Sequence, residues 1–142
     1  MSDKRVLIIG GGFAGARVAQ DLAKSGFNNV TLVDRKDYFE VTYATLRGVT
    51  DPETLGKRSR LRYAEFIKGE FIQGVVSEIA ANSAKLEDGS TLDFDYAVIA
   101  SGSTYKTFPL AKSEDAVTLE AREQEFEGWH QQLDSAGSVL II

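Results

Sequence analysis

The feature that most constrains this chain lies near its start, where an unbroken apolar run, Val6-Leu7-Ile8-Ile9, passes directly into Gly10-Gly11-Gly12-Phe13-Ala14-Gly15. A short apolar run bounded by glycine reads as a parallel strand buried on both faces. Beyond the glycines, Ala14, Val18, Ala19, Leu22 and Ala23 recur at helical spacing, and Ser25-Gly26 supplies a stop. Asn28-Asn29 then turn the chain into a β-branched strand, Val30-Thr31-Leu32-Val33, which ends at Asp34. Strand, glycine turn, helix and strand make a βαβ unit, right-handed by default.

In that setting Gly10-x-Gly12-x-x-Gly15 carries chemistry. The first glycine permits a tight turn, the second lets backbone approach a pyrophosphate, and the third lets the helix pack close to the strand. The N–H groups of Phe13, Ala14 and Gly15, at the positive end of the helix, are placed to hold a diphosphate. Asp34, roughly 20 residues on, is placed to accept hydrogen bonds from ribose hydroxyls. The competing reading is a strand-to-helix turn whose glycines serve packing alone. Arg35 and Lys36 follow Asp34, but the carboxylate would repel a 2′-phosphate, which favours the unphosphorylated ribose of FAD or NAD.

From 35 to 68 no period of 2 or 3.6 survives, and short helical turns and loops are expected. Residues 70–80 read as one strand, followed by a strand at 84–87, the hairpin dipeptide Asp88-Gly89 and a strand at 91–94, together a small antiparallel meander. Residues 96–100 return to the parallel sheet and end at Ser101-Gly102. Thr118 caps a helix with Leu119, Phe126, Trp129 and Leu133 on one face. Gly137-Ser138 then open Val139-Leu140-Ile141-Ile142, which echoes 6–9. The expected fold class is α/β, a Rossmann-like FAD-binding domain with a parallel sheet, helices and a small antiparallel β-meander. Residues 1–136 are expected to form that domain and 137–142 the first strand of a further βαβ unit, which the family resemblance given below makes NAD(P)H-binding. The meander favours FAD over NAD, because reductase-type FAD domains insert three strands where an NAD domain crosses over with a helix. Ala100-Ser101-Gly102 then lies beside the diphosphate.

The chain contains no cysteine, which removes disulfides, thiolate metal sites, iron–sulfur ligation and a dithiol relay from its own repertoire. A net charge of −5 argues against a nucleic-acid partner. The apolar start is too short for a signal peptide or a membrane span, and Ser2 excludes N-myristoylation, so a soluble, cytoplasmic setting is expected. His130 reads as solvated or as helix packing, Phe126 and Trp129 as core. The basic cluster Lys57-Arg58-Ser59-Arg60-x-Arg62 reads as a solvated loop before it reads as a lure for an anionic cofactor or lipid surface. Asp37 and Glu40 give no independent support to acid/base catalysis.

Together, Gly10 to Gly15, Val33-Asp34-Arg35-Lys36-Asp37-Tyr38-Phe39, Leu46-Arg47 and Phe94-Asp95-Tyr96-Ala97-Val98-Ile99-Ala100-Ser101-Gly102-Ser103 resemble the FAD- and pyridine-nucleotide-dependent oxidoreductases. Within them the chain is most similar to the apoptosis-inducing-factor-like, mitochondrion-associated branch that includes the ferroptosis suppressors. The resemblance implies hydride transfer from NADH or NADPH to FAD and onward reduction of a quinone-like acceptor. It assigns the diphosphate to the loop of Gly10, Gly11, Gly12, Phe13, Ala14 and Gly15, and the adenosine ribose to Asp34. Lys36 would lie near the adenosine, Arg47 on the flavin side, and Val76 would address the adenine through its backbone. Ala100, Ser101 and Gly102 would close over the diphosphate. No metal is implied and the catalytic residues stay unassigned; peripheral membrane contact and a homodimer are compatible with it. Ser101 stands where the branch commonly has threonine. The second glycine loop for the nicotinamide and a late Gly-Asp motif do not occur within these 142 residues, so the chain alone is expected to turn over little. Two alternatives stay open: a non-catalytic FAD- or adenine-nucleotide-binding module acting with a partner, and an NAD-binding Rossmann domain of a dehydrogenase.

Overall fold

The computed structural model describes residues 3–105 and 110–140. The chain divides into two compact units, Met1–Phe39 with Arg62–Ser103, and Glu40–Leu61 with Thr104–Ile142. Each unit is built from two separate lengths of chain.

The first unit holds a four-stranded parallel sheet. Strand β1 (Val6–Ile9) lies between β2 (Val30–Asp34) and β9 (Tyr96–Ile99), and β5 (Glu70–Gln73) lies outside β2. Helix α1 (Phe13–Lys24) joins β1 to β2. Val6 and Ile8 pack with Ala16 and Ala19 of α1 and with Val30 and Leu32. Leu7 faces the other way, with Val33, Ala84, Leu86 and Phe94. A strand with apolar partners on both sides has no polar alternation, as its sequence shows. Small residues at Gly15, Ala16 and Ala19, all buried, let α1 lie close to the sheet. The helix ends at Gly26, whose φ of +84° is where glycine costs least. There Phe27 N–H donates to Leu22 O at 3.1 Å and Gly26 N–H to Ala23 O at 3.2 Å, a Schellman closure.

The second face of the sheet is covered by the meander of β6 (Val76–Ile79), β7 (Ser83–Leu86) and β8 (Thr91–Asp93). The single strand expected over 70–80 is instead two. Gly74 N–H still donates to Asp34 O at 2.8 Å, extending the β5 ladder. The chain then leaves the sheet, with Gly74 so close to Leu86 that an added Cβ would meet Cδ2 at 2.6 Å. Without a side chain at Gly74 the departing chain can pass directly against Leu86 of the meander.

The short strands β3 (Tyr38–Glu40) and β4 (Arg60–Arg62) contain the points where the chain leaves the first unit and returns, and α3 (Tyr63–Phe66) follows. In the second unit, a single turn at Thr42–Ala44 leads into α2 (Thr45–Thr50) and a wide turn at Pro52–Gly56, and α4 (Leu119–Asp134) packs with them. Thr118 caps α4 as expected, its Oγ1 accepting from Ala121 N–H at 3.2 Å. The buried face of α4 differs from the expected stripe. Phe126 and Arg122 are 0% exposed, whereas Leu133 is 37% exposed. Arg122 displaces the leucine because its charge is matched on the spot. Nε donates to Glu40 at 3.1 Å, Nη1 to Glu125 at 2.8 Å and Nη2 to Leu110 O at 2.8 Å.

Arg60 corrects the solvated reading of the basic cluster. It is 4% exposed, 3.8 Å from the Phe126 ring centre and 3.8 Å from Glu40. Arg62 is tied to Asp37, and only Lys57 and Arg58 of the cluster's cations are exposed. His130 takes a packing role, its Nδ1 lying 2.9 Å from Val49 O of α2. Residues 137–140, the described part of the strand expected to open a further domain, carry no strand; Ile141 and Ile142 lie outside the described residues.

Removing Arg122 would leave Glu40 and Glu125 without its charge. Arg122→Ala is expected to destabilise the second unit by about 3–5 kcal/mol. Trp129, the single tryptophan, sits in α4 and reports this unit in a denaturant titration followed by fluorescence; an unmoved midpoint would show the ion network to be dispensable.

Candidate functional site

At the carboxyl ends of the central strands of the first unit, β2 and β9 flank β1 on opposite sides, the position at which open α/β sheets bind ligands. Each ladder runs one residue past its strand. Gly10 N–H donates to Val33 O at 2.8 Å and Ala100 N–H to Ile9 O at 2.8 Å. This places the glycine loop between the Asp34 end of β2 and the Ala100-Ser101 end of β9.

The four loop glycines serve different ends. Gly10 adopts φ +98°, and a Cβ there would meet Ala100 O at 2.4 Å. A Cβ on Gly15 would lie 1.8 Å from Gly10 O and 3.3 Å from Ile8 Cγ2, so the helix can rest on the loop only without a side chain. At Gly11 a Cβ would come within 2.4 Å of Cζ and of Oη of Tyr63. Gly12 is unlike the other three. Its φ of −63° and ψ of −167° suit any residue, and a Cβ built there meets nothing within 4 Å. Neither conformation nor packing within the protein asks for glycine at this position. The open space lies at the N-cap of α1, which has no side-chain cap and no acidic residue in its first turn. Phe13 and Ala14 are exposed there. A helix end of this kind favours an anion.

Asp34 does more than its sequence position indicates. Oδ2 accepts Gly11 N–H at 2.6 Å and Oδ1 accepts Lys36 N–H at 2.8 Å. A carboxylate offers about four acceptor sites, so hydroxyl donors can still be received. The loop and the second strand are thereby fastened together at the acceptor itself. Lys36 Nζ lies 5.3 Å from the Tyr38 ring centre. Val76 opens β6 opposite Leu86, two residues past the Gly74 amide bound to Asp34 O. Ser101 Cα would lie 2.9 Å from a Cβ on Gly10, and Gly102 follows at φ +70°. Arg47 is exposed on α2, in the second unit. The structure thus gathers Gly10, Gly11, Gly15, Asp34, Ala100 and Ser101 through direct contacts, with Gly12, Phe13 and Ala14 on the same loop. Lys36 is joined through Asp34, and Val76 and Gly102 lie on the adjoining segments.

Tyr63 was not legible as part of this neighbourhood. It is 2% exposed, it stacks on Phe71 with ring centres 4.8 Å apart, and its backbone N–H donates to Asp37 O at 3.1 Å. Burial, and after it the Asp34 charge, push its phenol well above the ordinary tyrosine range. It lies in the stretch with no hydrophobic period, so no spacing signal marks it. No group of His, Asp or Glu among the described residues could hold a metal ion, and no described helix is long and apolar enough to cross a membrane.

Residues 4–142 match the profile of the pyridine nucleotide-disulphide oxidoreductases. The chain is 44% identical to apoptosis-inducing factor homolog B of Dictyostelium discoideum, over 98% of its own length and 35% of that protein's. It is 31% identical to ferroptosis suppressor protein 1 of Xenopus tropicalis, over 97% of this chain and 36% of the relative. It thus spans about a third of the length of the curated relatives it matches. Among solved structures, the sulfide:quinone oxidoreductase of Aquifex aeolicus superposes with a TM-score of 0.64 at 22% identity, covering 93% of this chain and 33% of that one, a likeness of fold.

Two outcomes follow from the loop geometry. Gly10→Ala is expected to cost about 1–3 kcal/mol, because it forces a side chain into a left-handed conformation, whereas Gly12→Ala stays within about 0.5 kcal/mol; equal losses in thermal unfolding would contradict the distinction. The Tyr63 phenol keeps its proton in the folded chain at pH values where the unfolded chain, with the ordinary value of 10.0, releases it. Its contribution to stability is whole below that value and declines as pH rises above it. Tyr63→Phe should flatten the alkaline fall in unfolding free energy.

Proposed function

Because this chain belongs to the pyridine nucleotide-disulphide oxidoreductase family, we propose that it is the FAD-binding part of an NAD(P)H-dependent flavoprotein oxidoreductase that passes electrons to a quinone-like acceptor. The observation that carries the FAD-site reading is Gly12. Its backbone and surroundings would accept a side chain, yet it borders the N-terminus of α1, where a diphosphate is best received. A packing-only account explains Gly10 and Gly15 and leaves Gly12 unexplained. The three-stranded meander β6-β7-β8 supports FAD over a dinucleotide held by a plain Rossmann unit.

In this reading the 10–15 loop receives the diphosphate at the N–H groups of Gly12, Phe13, Ala14 and Gly15 at the start of α1, while Gly10 and Gly11, whose N–H groups bond Val33 O and Asp34, shape the loop beneath it. Asp34 receives the ribose hydroxyls while keeping Gly11 in place, and Lys36 and Val76 border the adenosine. Ala100, Ser101 and Gly102 close the site from the β9 side, and Arg47 serves the flavin end. FAD, when bound, supplies the redox chemistry, taking hydride from the nicotinamide and yielding electrons to the acceptor. The residues of this chain bind and orient; none of them needs to titrate for such a transfer. With no cysteine in the chain, it offers no thiol relay of its own, which supports an acceptor such as a quinone over a disulfide. Residues 137–142 are assigned to the start of an NAD(P)H-binding part. The cytoplasm, with peripheral membrane contact where the acceptor is lipid-borne, is the proposed setting.

The test is FAD titration, followed by visible flavin absorbance and fluorescence quenching. The chain is expected to bind FAD in preference to NAD. Gly12→Val should weaken FAD binding at least about tenfold, or about 1.4 kcal/mol, with the unfolding midpoint held. Undiminished affinity in Gly12→Val would remove the diphosphate assignment, and binding of NAD alone would favour a dehydrogenase domain.

A further inference from the structure

Gly12 stands between two residues, Gly11 and Phe13, that one aromatic row touches. Phe71, on β5, stacks on Tyr63 at 4.8 Å. Tyr63 meets Phe66 at 5.9 Å, Phe66 meets Phe39 at 5.9 Å, and Phe39 meets Phe13 edge-on at 5.1 Å. The row starts on the sheet and ends on the first residue of α1. Gly11, one residue before the open position, abuts the Cζ and Oη of Tyr63 and is drawn by its amide to Asp34 at 2.6 Å. Phe13, one residue after it, is nearly half exposed and leans on Phe39.

We infer that Tyr63 is a positioning residue for the cofactor, its ring forming the rigid floor that fixes Gly11 and so shapes the diphosphate cradle at Gly12 before any ligand arrives. The inference rests on the FAD reading above. A loop backbone pressed between a carboxylate and a stacked ring has few alternative positions, so less ordering remains to be done on binding. Tyr63 is itself seated by three anchors: its stack on Phe71, its backbone N–H on Asp37 O at 3.1 Å, and the ion pair of the preceding Arg62 with Asp37. The role belongs to the ring, since its para end is what Gly11 meets.

FAD affinity of the full chain, measured by flavin fluorescence across a double-mutant cycle, tests this. Gly11→Ala drives a Cβ into the ring, and Tyr63→Leu makes room for it. Gly11→Ala is expected to weaken binding at least about tenfold in the unmodified background and less than about threefold in the Tyr63→Leu background, a coupling typical of touching residues. Tyr63→Leu alone should weaken binding at least about threefold, and Tyr63→Phe, which keeps the floor, should remain within about twofold of the unmodified chain. A merely structural tyrosine would shift the unfolding midpoint without this coupling. Equal Gly11→Ala losses in both backgrounds, or a Tyr63→Phe as weak as Tyr63→Leu, overturn the inference. Should Tyr63→Leu fail to fold, Phe39→Leu, which removes the support under Phe13, decides: it should lose at least about threefold in affinity, and unmodified affinity overturns the inference. An unmodified chain that binds no FAD overturns the proposed function along with it; FAD binding without coupling overturns this inference alone.

Discussion

The short hydrogen bond between Gly11 N–H and Asp34 is the contact on which the site depends. It joins the loop after the central strand to the tip of the neighbouring one, and so converts two separate strand ends into one surface. Charge-assisted bonds of this kind are roughly twice as strong as neutral ones. Because the same carboxylate also accepts from Lys36 N–H, the turn after β2 takes its shape from Asp34. Acceptor and loop cannot move independently. The glycine contacts on the far side then set the loop's height: Gly10 against Ala100, and Gly15 beneath the Gly10 carbonyl.

Much of this was legible from local signals. Val6 to Ile9, the glycines, α1 and β2 announce themselves because apolar runs, small residues and a Gly stop act within a few positions of one another. Asp88-Gly89 marked its hairpin in the same way. What was not legible is governed by partners far away in sequence. Gly74 looks like strand interior until Leu86 arrives against it. Arg122 looks like a solvent-facing helix residue until Glu40 and Glu125 receive it, and Arg60 looks like part of a charged loop until Phe126 covers it. Tyr63 has no pattern around it at all. Long-range charge matching and aromatic contact leave no period in the sequence, and composition does not locate them.

The second unit shows how a charged helix face can be an interior one. Arg60 and Arg122 both lie over the Phe126 ring, and Glu40 serves both. Neutralised guanidinium groups stacked on an aromatic face retain much of the packing value of apolar side chains. Gly48 of α2 presses against the same ring, where an added Cβ would meet it at 2.6 Å, so the helix bearing Arg47 is set by the residue that organises the charges.

The strand order of the sheet has a temporal meaning. Among the described strands β1 is made first, yet one of its two neighbours, β9, is made last, with Val6 paired to Tyr96. Parallel pairing across so long an interval is slow to form, because chain entropy is spent before any contact repays it. During synthesis β1 and β2 can associate early, while the floor that Ala100 provides beneath Gly10 arrives only after the meander has been made. The glycine loop therefore gains its Ala100 neighbour only when β9 joins the sheet, and until then the sheet stands open along β1.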